Sequence, residues 1–187
     1  ISPEAPVPVV ALKKRINMLG GAANVALNVK ALGAEAILCS VIGNDKQGDE
    51  MLTLLKNAGL SEAGIIRSDR RITTTKFRII GNRMQMLRID EEIETDLDSI
   101  DTAAILQRIS DLLVTQKPDV IIFQDYNKGV LSPAVIERVS AMAAQSGIPV
   151  AVDPKKKNFS VYKGITLFKP NLKEVSEGLK MDVNPRS

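Results

Sequence analysis

The chain has 187 residues, 44% of them hydrophobic and 25% charged, with a net charge of +3, which is the composition of one globular domain with a real core. It has no histidine and a single cysteine, which excludes Ser-His-Asp and Cys-His triads, histidine zinc sites, imidazole acid–base chemistry and an internal disulfide. Aromatics make up only 3%, and basic residues run no longer than triplets such as Lys155-Lys156-Lys157, which argues against a nucleic-acid surface.

No apolar run approaches the roughly 20 residues of a membrane span, and residues 1–10 lack the basic and apolar regions of a signal peptide, so the expectation is a cytoplasmic protein without a membrane partner. Residues 2–10 contain prolines at 3, 6 and 8, which extend the chain and confine any strand here to a sheet margin. Gly20-Gly21-Ala22-Ala23-Asn24 follows, a backbone that can approach a ligand closely and then open a helix over residues 22–32 with Gly33 as its cap. The Asn24 amide both donates and accepts, which suits a neutral polyol better than a phosphate. The alternative for this stretch is a small-residue helix start packed tightly on a sheet. Residues 36–42 read as a buried strand containing Cys39, and Gly43-Asn44-Asp45 leads into a helix through Met51 and Leu55 that stops at Gly59.

Residues 72–80 are rich in threonine and β-branched side chains, Gly81-Asn82 is a turn, and residues 83–90 alternate, so a β-hairpin is predicted. Neither arm is apolar enough to be buried on both faces. The hairpin is therefore expected to stand apart as a flap, beside the proline-rich margin. From residue 101 the α/β order returns: a helix over 101–116, a short apolar strand at 120–123 suited to a central position, a helix opened by Ser132-Pro133 and capped by Gly147, and a strand at 149–152. A further helix, a strand at 165–168 and a short last helix from Asn171 complete the pattern. The fold class is α/β: a doubly wound, mainly parallel sheet flanked by helices, one domain over 1–187, with a small lid over about 4–12 and 72–90.

The late strands each end in polar groups: Gln124-Asp125, Asp153-Pro154-Lys155, and Lys169-Pro170-Asn171 with Glu174. In an open parallel sheet ligands bind beyond the carboxyl ends of strands, so these groups should face one crevice. Loop solvation and helix capping, the latter for Asn171 above all, are the competing readings. Carboxylate and amide oxygens suit hydrated Mg²⁺, while Lys128, Lys155 and Arg88 are candidates to neutralise phosphate. Neither G-x-x-x-x-G-K-[ST] nor G-x-G-x-x-G occurs, which disfavours a P-loop kinase and a dinucleotide dehydrogenase.

Gly20-Gly21-Ala22-Ala23-Asn24-Val25-Ala26 with Gly33 and Gly43, then Gly43-Asn44-Asp45 with Gly48, Leu52 and Gly59, and finally Asn171-Leu172-Lys173-Glu174, resemble the signatures of the ribokinase-like, or phosphofructokinase B-type, carbohydrate kinases. The resemblance runs along the whole chain. Within that family residues 1–10, 85–90 and Asp125-Tyr126-Asn127-Lys128-Gly129 are most similar to the kinases that phosphorylate heptose 7-phosphate in ADP-heptose synthesis for lipopolysaccharide. The resemblance implies ATP and Mg²⁺ as cofactors, a sugar-phosphate substrate held by Gly20, Gly21, Asn24, Gln85, Arg88, Asp125 and Lys128, and a nucleotide side formed by Asp153, Lys155, Asn171 and Glu174. Asn171 and Glu174 would act on the metal through water. It also implies a homodimer through the lid strands. The family's D-T-x-G-A-G-D signature, which holds the general base, does not occur within these residues, nor does its first strand. No catalytic residue is therefore expected among them, and the general-base Asp is expected beyond Ser187. The expectation is thus a partial kinase domain, inactive alone. The alternatives are a kinase for another sugar or sugar phosphate and a non-catalytic sugar-binding or dimerising module.

Overall fold

The computed structural model describes Glu4 and residues 9–181. The elements in chain order are α1 (Gly21–Ala31), β1 (Ser40–Gly43), α2 (Lys46–Asn57), β2 (Ile65–Ser68), β3 (Thr75–Gly81), β4 (Met84–Glu91), α3 (Ser99–Gln116), β5 (Ile121–Gln124), α4 (Pro133–Gln145), β6 (Val150–Asp153), β7 (Leu167–Phe168) and α5 (Leu172–Leu179). β1 pairs in parallel with β2, and β5, β6 and β7 pair in parallel in that order. β3 and β4 form a separate antiparallel hairpin whose register shifts between Ile79 and Ile80.

The period of two along β1 explains the layering. Val41 packs into a core with Ile105 of α3, Val135, Ile136 and Val139 of α4, and Phe123 and Val152 of β5 and β6. Its neighbour Ile42 points the other way, into a second core with Ala23 and Ala26 of α1 and Leu55 of α2. A strand buried on both faces needs helices on both sides, and α1 and α2 cover one face while α3 and α4 cover the other. This is the doubly wound α/β arrangement that the alternation of apolar runs and helical stripes predicts.

Several details differ from the sequence-based expectation. The strand placed at residues 36–42 is regular only over Ser40–Gly43, preceded by an isolated bridge from Ile37 to Ser61, and Cys39 lies just before it, half-buried. β2 had no counterpart, because four residues that include Arg67 and Ser68 carry too short a pattern. β5, expected at a central position, lies at the edge of its sheet with β6 in the middle, and Ile122 and Leu167 face outward at 46% and 59% exposure. The helix expected between β6 and β7 is a single 3₁₀ turn at Lys156–Asn158, and β7 is only two residues long. Of the lid segment placed at 4–12, residues 5–8 lie outside the described residues, and residues 9–12 form no strand. Ser187, beyond which the general-base Asp is expected, also lies outside the described residues.

Candidate functional site

The glycine stretch and the loop after β5 meet. Gly20 is the extended N-cap of α1 and Gly21, its first residue, has φ +53°, a left-handed conformation that a side chain would strain. A Cβ on Gly21 would lie in ordinary contact, 3.6 Å from the ring of Tyr126, so it is the backbone conformation that calls for glycine at this junction. Asn24 sits one turn into α1 and is exposed.

Asp125, by contrast, is buried at 1% exposure. Its Oδ1 accepts from the Asn127 amide at 2.8 Å, and its Oδ2 accepts from Asn158 Nδ2 at 3.1 Å and from the Tyr162 hydroxyl at 2.8 Å. A buried carboxylate with three donors is a structural hub for its loop. Burial, and then the charge of Asp125, push the Tyr162 phenol well above its ordinary pKa, so it remains a donor. The carboxylate that the resemblance assigns to sugar hydroxyls therefore spends its hydrogen bonds within the protein.

The ends of β5 and β6 adjoin: Gln124 Nε2 donates to Asp153 Oδ2 at 2.8 Å, the Asp125 amide donates to Asp153 O at 3.1 Å, and Lys169 Nζ lies 3.6 Å from Asp153 Oδ1. These groups edge a shallow cavity of about 150 Å³ on the open sheet face. Lys155 and Glu174 form an ion pair beside it. Asn171 caps α5 in a full capping box: Asn171 Oδ1 accepts from the Glu174 amide at 2.9 Å, and Glu174 Oε2 accepts from the Asn171 amide at 2.9 Å. Burial raises the Glu174 carboxyl, and the Lys155 ammonium with the Asn171 amide outweigh it, leaving its pKa below the usual range. Gly178 lets α5 lie against the Phe159 ring, which stacks edge-on with Phe168 at 5.0 Å and so ties Glu174 to the end of β7.

Both Glu174 oxygens and the Asn171 side-chain oxygen are thus already engaged, and among the described residues no cluster of three or more acidic, Cys or His groups could hold a metal ion directly. The donor set fits contact with a hydrated Mg²⁺ through its waters, with Asp153 the more exposed carboxylate.

Gln85 and Arg88 ride on the exposed arm β4, where Arg88 Nε pairs with Asp90 Oδ1 at 3.1 Å; among the described residues no hydrogen bond joins either to the other candidates. Lys128, a candidate for phosphate, instead bridges Glu92 and Glu94 at 2.6 Å each. Three groups escaped the sequence reading. Asn158 and Tyr162 hold Asp125 from more than 30 positions away, with only the scarcity of tyrosine, two in the chain, to draw attention. Arg71, beside another arginine and without a motif, gives no signal at all.

The profile of the pfkB family of carbohydrate kinases matches residues 5–183. A protein named bifunctional protein HldE from Caulobacter vibrioides is 45% identical over 177 residues, 95% of this chain and 36% of its own length. One of the same name from Helicobacter pylori is 37% identical over 184 residues, 98% of this chain and 39% of its own length. The chain therefore spans little more than a third of these relatives. Among solved structures, the tetrameric inhibited form of phosphofructokinase-2 from Escherichia coli superposes with a TM-score of 0.72 at 16% identity, covering 97% of this chain and 59% of that one. A 2-dehydro-3-deoxygluconokinase from Thermotoga maritima gives 0.68 at 19% identity, covering 88% and 54%. These likenesses establish the ribokinase-like fold, and with a family match over nearly its whole length the chain belongs to the pfkB family of carbohydrate kinases.

Proposed function

We propose that this chain carries the acceptor side of an ATP- and Mg²⁺-dependent kinase that phosphorylates a sugar phosphate, with heptose 7-phosphate as the acceptor and ADP-heptose synthesis for lipopolysaccharide as its setting, in the cytoplasm. The observation that carries the reading is the approach of Gly21, which lies between Gly20 and the helical turn bearing Asn24, to Tyr126 of the Asp125–Gly129 loop, in a chain whose family is carbohydrate kinases. The relatives named HldE and the resemblance of the 85–90 and 125–129 segments support heptose 7-phosphate within that class. In this reading the backbone at Gly20 and Gly21 and the Asn24 amide hold sugar hydroxyls, and the Asp125 network fixes the shape of the loop that receives them.

Asp153, Lys155, Asn171 and Glu174 lie on the nucleotide side. Mg²⁺ bound with ATP would neutralise phosphate charge there, reached by these residues through water. Positioning and charge neutralisation carry the rate in phosphoryl transfer, so an acceptor site and a metal shell still need a base and an anion hole. The G-A-G-D pattern that would supply both does not occur within these 187 residues, and the base is assigned to a position beyond Ser187. The hairpin, whose β4 arm exposes Met84, Met86, Leu87 and Ile89, is read as the lid and as the surface through which two copies pair. The experiment is a panel of sugar phosphates offered with Mg-ATP to an active kinase containing this chain. Preference for heptose 7-phosphate supports the assignment; equal or greater turnover of another sugar phosphate replaces it with a different acceptor.

A further inference from the structure

The segment leaving the hairpin and the loop after β5 are joined by two kinds of contact. The first is ionic: Lys128 Nζ lies between Glu92 and Glu94, and Lys76 Nζ lies between Asp90 and Glu92 at 2.9 and 2.7 Å, so that opposite charges alternate from the hairpin down to the loop. Glu94 is 69% exposed, and pairs of this kind are screened by salt. The second is made by Arg71. Its NH1 donates to Thr95 O at 3.0 Å, and its NH2 donates to Ile93 O at 3.1 Å and to Lys128 O at 2.8 Å. The planar guanidinium fork therefore grips three main-chain carbonyls on two segments in a fixed geometry that a flexible ammonium does not impose.

The backbone around Arg71 is itself tied to the body. Two residues on, the Thr73 amide donates to Asp45 Oδ2 at 2.8 Å, and the Gly43 amide donates to Thr73 Oγ1 at 3.0 Å. Asp45 also accepts from the Gly48 amide at 2.7 Å as the N-cap of α2. A Cβ on Gly43 would strike Asp45 and one on Gly48 would strike Gly43 O, so these glycines permit the clasp. On the far side Gly129 has φ +81°, a Cβ there would strike Thr95 O, and the Leu97 amide donates to Gly129 O at 3.1 Å. The two strands of the hairpin thus enter and leave the body on either side of one guanidinium.

We propose that Arg71 is a positioning residue that clamps the root of the β3–β4 hairpin to the Asp125–Gly129 loop and so sets the angle of the hairpin relative to the body. Its meaning for turnover rests on the acceptor-site reading above, because Gln85 and Arg88 travel with the hairpin; the clamp itself does not. It is tested by nitroxide labels on Met84→Cys at the hairpin tip and Glu137→Cys on α4, in a Cys39→Ser background, with the distance distribution read by pulsed electron spin resonance. Arg71→Ala should broaden the distribution about twofold at any salt concentration, with Arg71→Lys intermediate and Lys128→Met close to the parent. An unchanged width in a folded Arg71→Ala chain overturns the proposal. So does a Lys128→Met variant as broad as Arg71→Ala, which would give the root to the ion pairs. Should Arg71→Ala fail to fold by circular dichroism, the width of Arg71→Lys decides on the same terms. No activity is read, so either result leaves the kinase reading standing or falling by its own assay.

Discussion

Asp125 and Asn24 sit on neighbouring segments and do different work. Asp125 accepts three hydrogen bonds while buried, so its replacement leaves donors without partners. Tyr162→Phe removes one donor and should lower unfolding free energy by about 1 kcal/mol, whereas Asp125→Ala strands Tyr162 and Asn158 and should cost about 3 kcal/mol or more. Urea denaturation measures both, and near-equal losses would contradict the hub. Asn24 is exposed, and among the described residues its side chain makes no hydrogen bond, so Asn24→Ala should leave stability nearly unchanged. In an active kinase it should raise the acceptor KM about tenfold, the equivalent of one hydrogen bond, with little change in the ATP KM. Equal changes in both would return Asn24 to simple helix packing. Cys39 is a quieter residue: burial, partly offset by Arg108, pushes its thiol up to about 11, so it should alkylate slowly at neutral pH until the chain unfolds.

At the scale of elements, α5 depends on its cap. It has only eight residues, too few to be helical without tertiary support, and its first turn rests on the Asn171–Glu174 box and the Lys155 pair. The Glu174 carboxyl is held below its ordinary value of 4.5, so the stabilisation is full above that pH and is lost as pH falls through the lower folded-state value. Amide protection in α5 should therefore fall as the pH is taken below 4.5 while that of α4 persists, since the α4 cap, Ser132 with proline at N1, does not titrate. Loss of protection in both helices together would mean global unfolding instead. The same contrast shows what was legible in the sequence. Ser132-Pro133, Gly33, Gly59 and Gly147 announce helix ends because capping is local, and the hairpin follows from its alternation and its Gly-Asn turn. β2 and β7 are too short to display a period, and the edge position of β5 depends on strand order, which no local pattern encodes. In the site, glycine and polar strand ends could be read directly. That Asp125 faces inward and Lys128 is already paired depends on Tyr162, Asn158, Glu92 and Glu94, contacts made across the fold.

For the molecule as a whole, two cores on opposite faces of β1 fix the helices, while the face of β5–β7 carrying Ile122 and Leu167 and the arms of the hairpin remain apolar and exposed. A chain of this family without a G-A-G-D segment should bind an acceptor yet transfer no phosphate, and ATP turnover coupled to sugar phosphorylation by the purified 187 residues would contradict that. Pairing through the hairpin should yield a dimer by light scattering that Leu87→Lys with Ile89→Lys reduces to a monomer; a dimer that survives both lies elsewhere. The central claim is that the glycine stretch and the Asp125–Gly129 loop receive the sugar. It is tested most directly by titrating heptose 7-phosphate into the isotope-labelled chain and following amide chemical shifts. The largest shifts should fall on Gly20, Gly21, Asn24 and residues 125–129, with Mg-ATP instead moving Asp153, Lys155 and Asn171. Shifts confined to the surface cavity beside Lys30 and Gly59, or the same residues responding to both ligands, would contradict it.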